Sequence, residues 1–380
     1  MSKSNLPPLS LYIHLPWCER KCPYCDFNSH ESDAVPQERY IDSLLDDLRG
    51  DLPYVYHRPI ETLFIGGGTP SLFSAAAIQR LMRGIAERME LSAQLEATME
   101  ANPGSAEAEK FQGFREAGIN RLSLGIQSFQ DKQLQALGRV HTADEAHAAI
   151  EMVRAAGFEN FNLDLMHGLP GQSQEGATAD LVTALSYRPP HLSWYQLTLE
   201  PNTVFHSHPP ILPREDTLAD IQDAGENILR DQGYTQYEVS AYSLSNRACQ
   251  HNLNYWSFGD YLGIGAGAHG KITLPNGRIT RYSKRRQPDK YMACDQGGYT
   301  VTTRELEREE TAGEYVLNAL RLNHGFSLAQ FSARTGLPET SIQARVESLA
   351  ARDLLVVRDN RIRTSDLGRR FLDSVVEEFF

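Results

Sequence analysis

The 380-residue chain has no run approaching the ~18 consecutive apolar residues of a membrane-spanning helix. Its opening stretch, "MSKSNLPPLSLYIHLPW", lacks the apolar core and small-residue cleavage site of a secretory signal. Positive charge is short as well: 37 Lys and Arg face 49 Asp and Glu, a net charge of -12, so no global basic field draws nucleic acid or anionic lipid. Cysteine is scarce, with five in the chain, and the two separated pairs usual in a zinc site are missing. These absences lead to the expectation of a cytoplasmic protein that is not integral to a membrane and has no nucleic-acid partner. In that reducing compartment, clustered cysteines point to metal or redox chemistry rather than a disulfide. With 41% hydrophobic residues, the length suffices for one large domain of roughly 250 residues plus a smaller one, or for two to three ordinary domains.

What is present is an alternation. Short apolar runs, "LYIHL" (11–15), "TLFIGG" (62–67), "LEATME" (95–100), "RLSLGIQ" (121–127), "FNLDLMHG" (161–168) and "LSWYQLTLE" (192–200), are separated by amphipathic stretches such as "AAAIQRLMRGIAERM" and "ADEAHAAIEMVRAAG". Near-continuous apolar strands alternating with helices predict repeated βα units around a parallel sheet, barrel-like or doubly wound. Three segments follow: 1–205 with the βα units; 206–305, an extension with a Pro-rich connection, a helix near 214–232 and a Gly- and aromatic-rich stretch; and 306–380, a winged-helix-like order of helices and one hairpin, "LLVVRDNRIRT".

Cys18, Cys22 and Cys25 fall together in "WCERKCPYCDF" (17–27), in the loop expected after the first strand. Sites collect at that edge of parallel α/β sheets. Pro23 argues against a helix through Cys22. Three thiolates are one short of the usual set for a [4Fe–4S] cube and leave one iron open; zinc held by the three cysteines with His14 or His30 is the alternative. Cys249 and Cys294 stand alone and read as ordinary thiols. At the predicted strand ends lie "IGGGTP" (65–70), whose glycines let backbone approach a ligand, Glu100 and Gln127; Asp164 lies on the fifth strand, and Arg139 suits a two-pronged carboxylate contact.

The C-x3-C-x2-C loop resembles the signature of radical S-adenosylmethionine (SAM) enzymes, in which SAM chelates the open iron and is cleaved to a 5′-deoxyadenosyl radical. Together "LYIHLPWCxxxCPYC", "GGGTP", "EANP", "RLSLGIQSF" and "NLDLMHGLPGQ" are similar, over about 200 residues, to the oxygen-independent coproporphyrinogen III oxidases. That resemblance implies an α/β fold: a partial (β/α)6 TIM-like barrel with a C-terminal helical, winged-helix-like domain. It also implies that Tyr12, Tyr24, Gly67, Gly68, Thr69, Glu100, Gln127, Arg139 and Asp164 contact SAM. Two departures match a sister branch, the HemW-type heme chaperones. Phe27 stands where the oxidases carry a fourth cysteine, and the stretch before the first strand is short. That branch carries H-N-x-x-Y-W, and this chain reads "HNLNYW" (251–256).

The resemblance implies binding of heme and its transfer to heme-accepting proteins, membrane-bound respiratory ones among them; the other reading is a true oxidase that decarboxylates coproporphyrinogen III. Imidazole is a common heme ligand, which makes His251 a candidate with Asn252, Tyr255 and Trp256 around the porphyrin, and His269 and Cys249 its rivals. "GAGAHG" (265–270) fits G-x-G-x-x-G, but "KITLPNGRIT" after it reads as a hairpin rather than the helix a dinucleotide site needs. From Thr311 to Phe380 nine arginines balance nine acidic residues with no lysine, so phosphate-driven DNA binding is not expected of the last segment; covering the site or docking a partner fits it better. Nothing in the sequence reports the oligomeric state.

Overall fold

The computed structural model describes residues 6–104, 110–294 and 297–380. Six strands follow the predicted runs: β1 (Leu9–Leu15), β2 (Ile60–Gly67), β3 (Leu91–Ala101), β4 (Arg121–Gln127), β5 (Phe161–His167) and β6 (His191–Gln196). Each is parallel to the next. β1 is buried at six of its seven residues, the pattern of a strand covered on both faces. The covering helices are amphipathic. In α1 (Gln37–Asp51), Tyr40, Ile41, Leu44, Leu45 and Leu48 face inward, and in α2 (Ala75–Ala86) Ile78, Leu81, Met82 and Ile85 recur at helical spacing. α3 (Ala143–Ala155) begins in a Thr142–Glu145 capping box.

The sheet runs further than the six βα units. After the hairpin β7 (Thr235–Glu238) and β8 (Ala241–Ser243), antiparallel against β6, the chain forms a short helix, α4 (Gln250–Trp256). It then returns as β9 (Asp260–Ile264), parallel to β1 on the side away from β2. Antiparallel strands β10 (His269–Thr273), β11 (Ile279–Lys284) and β12 (Thr300–Glu305) complete a twelve-stranded sheet ordered β12-β11-β10-β9-β1-β2-β3-β4-β5-β6-β8-β7. This seventh parallel strand was not among the sequence expectations. Its partner lies some 250 positions away, and its five residues resemble a Gly-rich loop. Gly265 (φ +104°) ends it, where a Cβ would stand 2.4 Å from the His14 carbonyl oxygen.

Buried ions fix this junction. The Asp260 carboxylate accepts from Arg58 (2.7 Å), Lys271 Nζ (3.0 Å) and the Thr273 amide and hydroxyl (2.9 and 2.8 Å). Lys284 Nζ donates to Asp47 (2.6 Å) and Asp51 (2.9 Å). Removing one member of such a set leaves an uncompensated buried charge, at a cost of about 3–5 kcal/mol.

The last segment carries α5 (Arg308–Ala319), α6 (Leu328–Thr335) and α7 (Thr340–Ala351), then the hairpin β13 (Leu355–Arg358) and β14 (Arg361–Thr364). Its core of Tyr315, Val316, Phe331, Ile342 and Leu349 also takes in Phe258 and Ile279, so it packs onto the preceding region. No helix among the described residues is long and apolar enough to cross a membrane.

Candidate functional site

The loop after β1 is closed by its own backbone. Trp17–Cys18 pairs in parallel with His30–Glu31, the Cys25 amide donates to the Cys22 carbonyl (3.1 Å), and Lys21 Nζ donates to the carbonyls of Phe27 and Ser29 (3.0 and 3.4 Å). No helix forms through Pro23. Cys18, Cys22 and Cys25 are free thiols on the wall of one cavity of about 410 Å³. Burial raises the pKa of Cys18 and Cys25, and a coordinating metal would supply the offsetting positive charge.

The opposite walls of this first cavity come from β2 to β5, at the strand ends for Gly67, Glu100 and Gln127 and within the strands for Ser123 and Asp164. Gly67 (φ +121°) turns the chain out of β2, and at Gly68 a Cβ would stand 2.4 Å from the Trp17 carbonyl oxygen, so both positions favour glycine. The Gly67 amide donates to Glu100 (3.1 Å). Burial, then the nearby Asp164 charge, pushes the Glu100 carboxyl up to about 7. Gln127, a non-glycine at φ +65°, accepts from the Tyr195 hydroxyl (2.8 Å). Asp164 accepts from Ser123 (2.9 Å) and Asn162 (2.8 Å). Arg139 donates to Asn102 (2.6 Å), the Gly125 carbonyl (2.9 Å) and Cys22 Sγ (3.6 Å), while its buried Nε has no partner. Tyr24 and Thr69 line the same space.

Tyr12 does not. It lines a second cavity of about 600 Å³, with His14, Phe27, Asn28, Gly67, Glu100, His251, Tyr255, Tyr261 and His269. The two cavities share Phe27, Gly67 and Glu100. The "HNLNYW" segment is α4, and helical spacing divides it. His251 and Tyr255, four apart, line the second cavity, whereas Asn252 and Trp256 line the first. Thr62 Oγ1 stands 2.9 Å from His251 Nδ1, and Glu96 accepts from the backbone amides of Gln250 (2.8 Å) and His251 (3.2 Å), anchoring the helix start. Burial, then Arg121, lowers the His251 pKa to about 3, so its imidazole is neutral. Of its rivals, His269 lines the second cavity and Cys249 lines neither. The Cys249 thiol donates to Glu96 (3.5 Å), and burial pushes it up to about 12.

Sequence reasoning missed Asn102, Ser123, Tyr195 and Arg321 on the first cavity. Arg321 comes from the turn after α5 and stacks over the Trp256 ring at 4.3 Å, so the last segment forms part of the wall. Asn102 and Ser123 lie inside the quoted stretches "EANP" and "RLSLGIQSF", which could have pointed to them. No quoted motif marks Tyr195 or Arg321, which the sheet register and the docking of the last segment bring in. A single-ion site finds no support. Among the described residues no three His, Cys, Asp or Glu side chains converge on one ion, and both His14 nitrogens are engaged, by Tyr12 and by the Asn28 carbonyl (2.9 Å each). A four-iron cube is larger than one ion and takes thiolates held further apart, from a loop such as this one. The donor set of thiols, carboxylates, amides and a guanidinium with a free N–H also suits a zwitterionic nucleotide.

Residues 12–182 match the radical SAM superfamily, and residues 306–371 match the HemN C-terminal domain. The chain is 49% identical over 376 residues to the heme chaperone HemW of Escherichia coli, covering 99% of each. It is 36% identical over 339 residues to that of Bacillus subtilis, covering 86% of this chain and 87% of the other. Among solved structures it is similar to the E. coli coproporphyrinogen III oxidase HemN, a radical SAM enzyme. The TM-score is 0.83 at 23% identity, over 100% of this chain and 91% of that one, a likeness of fold.

Proposed function

Since the chain belongs to the HemW family of the radical SAM superfamily, we propose that it is a cytoplasmic heme chaperone, binding heme and passing it to acceptor proteins, membrane-bound respiratory ones among them. The observation that carries this reading is the pair of adjoining cavities, one lined by three free thiols and the other by a neutral histidine and two tyrosines of the α4–β9 region.

In this reading Cys18, Cys22 and Cys25 hold a [4Fe–4S] cluster. Gly67, Gly68, Thr69, Glu100, Gln127, Arg139 and Asp164 hold SAM, with Tyr24 on the wall. When bound, cluster and sulfonium together supply one-electron chemistry. The protein supplies position and charge: Arg139 offers its unpartnered Nε–H to a carboxylate, and the Glu100 carboxyl accepts from an ammonium or ribose hydroxyl. The second cavity would take heme, with His251 a candidate ligand through Nε2 and Tyr255 and Tyr261 offering aromatic faces to the macrocycle. Arg321 over Trp256 lets the last segment cover the first cavity, consistent with its balanced charge.

The test is anaerobic reconstitution, hemin titration, and mixing of the loaded protein with an apo heme protein. Saturable heme uptake and appearance of the acceptor's Soret band support the reading; no saturable uptake by the intact protein would remove it. Incubation with coproporphyrinogen III separates the oxidase alternative. No protoporphyrinogen at catalytic rates is expected, and its formation would replace chaperone by enzyme.

A further inference from the structure

The second cavity is electrically lopsided. Its buried side carries Glu100 and the His251 ring; its solvent side carries Arg286, His269 and the exposed Phe27. Arg121, which acts on His251, does not line this cavity, and the cations toward the mouth other than Arg286 are paired. Lys284 is held by Asp47 and Asp51, Arg281 by Glu314 and the Tyr261 hydroxyl, and Arg304 by Glu310. Among the described residues Arg286 forms no ion pair and donates no side-chain hydrogen bond. Its backbone is nevertheless fixed: the Asn28 side-chain amide donates to the Arg286 carbonyl (2.9 Å) and to the Ala266 carbonyl (2.8 Å), tying the cysteine loop to this edge.

A free guanidinium at the mouth of an aromatic-lined cleft recognises an apolar planar ligand with carboxylates on one edge. A tetrapyrrole with two propionates has that form. Resting on the heme reading above, we propose that Arg286 is the carboxylate anchor of the second cavity, pairing with the propionates and so deciding which edge of the macrocycle enters. A buried carboxyl at Glu100 and a cation at the mouth both disfavour the reverse orientation. The exposed Phe27 ring, at 59% exposure, is bare apolar surface that the macrocycle would cover.

The test compares hemin with its dimethyl ester, whose propionates carry no charge, on wild type, Arg286→Ala and Arg286→Lys. Wild type should prefer hemin by about fivefold, the scale of one exposed ion pair. Arg286→Ala should lose that preference and bind the ester as wild type does, and Arg286→Lys should retain part of it. Because the side chain is exposed and bonded to nothing, the variants should fold as wild type does. An equal preference for hemin in wild type and Arg286→Ala would overturn this inference alone. Failure of wild type to bind either porphyrin would overturn the heme reading and this inference with it.

Discussion

Thr62 Oγ1 lies 2.9 Å from His251 Nδ1, joining the second strand of the parallel sheet to the first turn of the helix that crosses between the two cavities. Ligation through Nε2 requires that Nδ1 carry the proton and donate it to Thr62. Partners of this kind orient a ligating imidazole and raise its basicity. Thr62→Val should therefore weaken heme binding about tenfold while Thr62→Ser preserves it. His251→Ala should shift the Soret band as well. An unchanged band and affinity in His251→Ala would hand the ligand role to His269.

The helical split of "HNLNYW" makes its four candidate positions separable. Tyr255→Ala should reduce heme affinity and leave SAM affinity unchanged. Asn252→Ala should do the opposite, because Asn252 lines the cavity of the cysteines. Equilibrium binding of each ligand to each variant decides the matter; parallel losses of both ligands in both variants would contradict the division.

Single Cys→Ala changes at Cys18, Cys22 or Cys25 should each abolish the cluster, since two thiolates cannot hold what three barely complete. Cys249→Ala and Cys294→Ala should leave iron and acid-labile sulfide at wild-type levels. Metal and sulfide analysis of anaerobically reconstituted protein provides the measure. Zinc in place of iron and sulfide would remove the cluster assignment.

Acid should destabilise the fold in a defined window. Burial lowers His14 and His167 to about 4 and His141 and His251 to about 3. Unfolded, each takes a proton near its ordinary pKa of about 6.5, so between these values the unfolded state binds more protons and stability rises with pH. Each such group contributes about 1.4 kcal/mol per pH unit. Among the described residues six carboxyls raised by burial, Glu100 to about 7, Asp47 to about 6, and Asp51, Asp164, Asp180 and Glu238, act with the opposite sign. Against them stand eight histidines lowered by burial, His30, His191, His269 and His324 joining the four above. Urea midpoints of the apo protein should fall as pH drops from about 6 to about 4.5; midpoints that stay level or rise would contradict the balance.

The sequence by itself determined the parts that depend on neighbours in the chain. The apolar runs located β1 to β6 because a parallel strand buried on both faces needs little but apolar residues. The cysteine spacing, the glycines of "GGGTP" and the carboxyl and amide side chains at strand ends were legible for the same reason: each is read against its own strand. Only the tertiary structure decided what depends on register between distant segments. β9 joins β1 through a pairing the local sequence does not encode. Arg321 reaches the first cavity through the docking of another segment, and Tyr12 turns to the second cavity rather than the first. The helix of residues 250–256 was visible as a motif, but its two-sided role was not. Helical geometry sends His251 and Asn252 about 100° apart, and which cavity each meets is fixed by the sheet beneath.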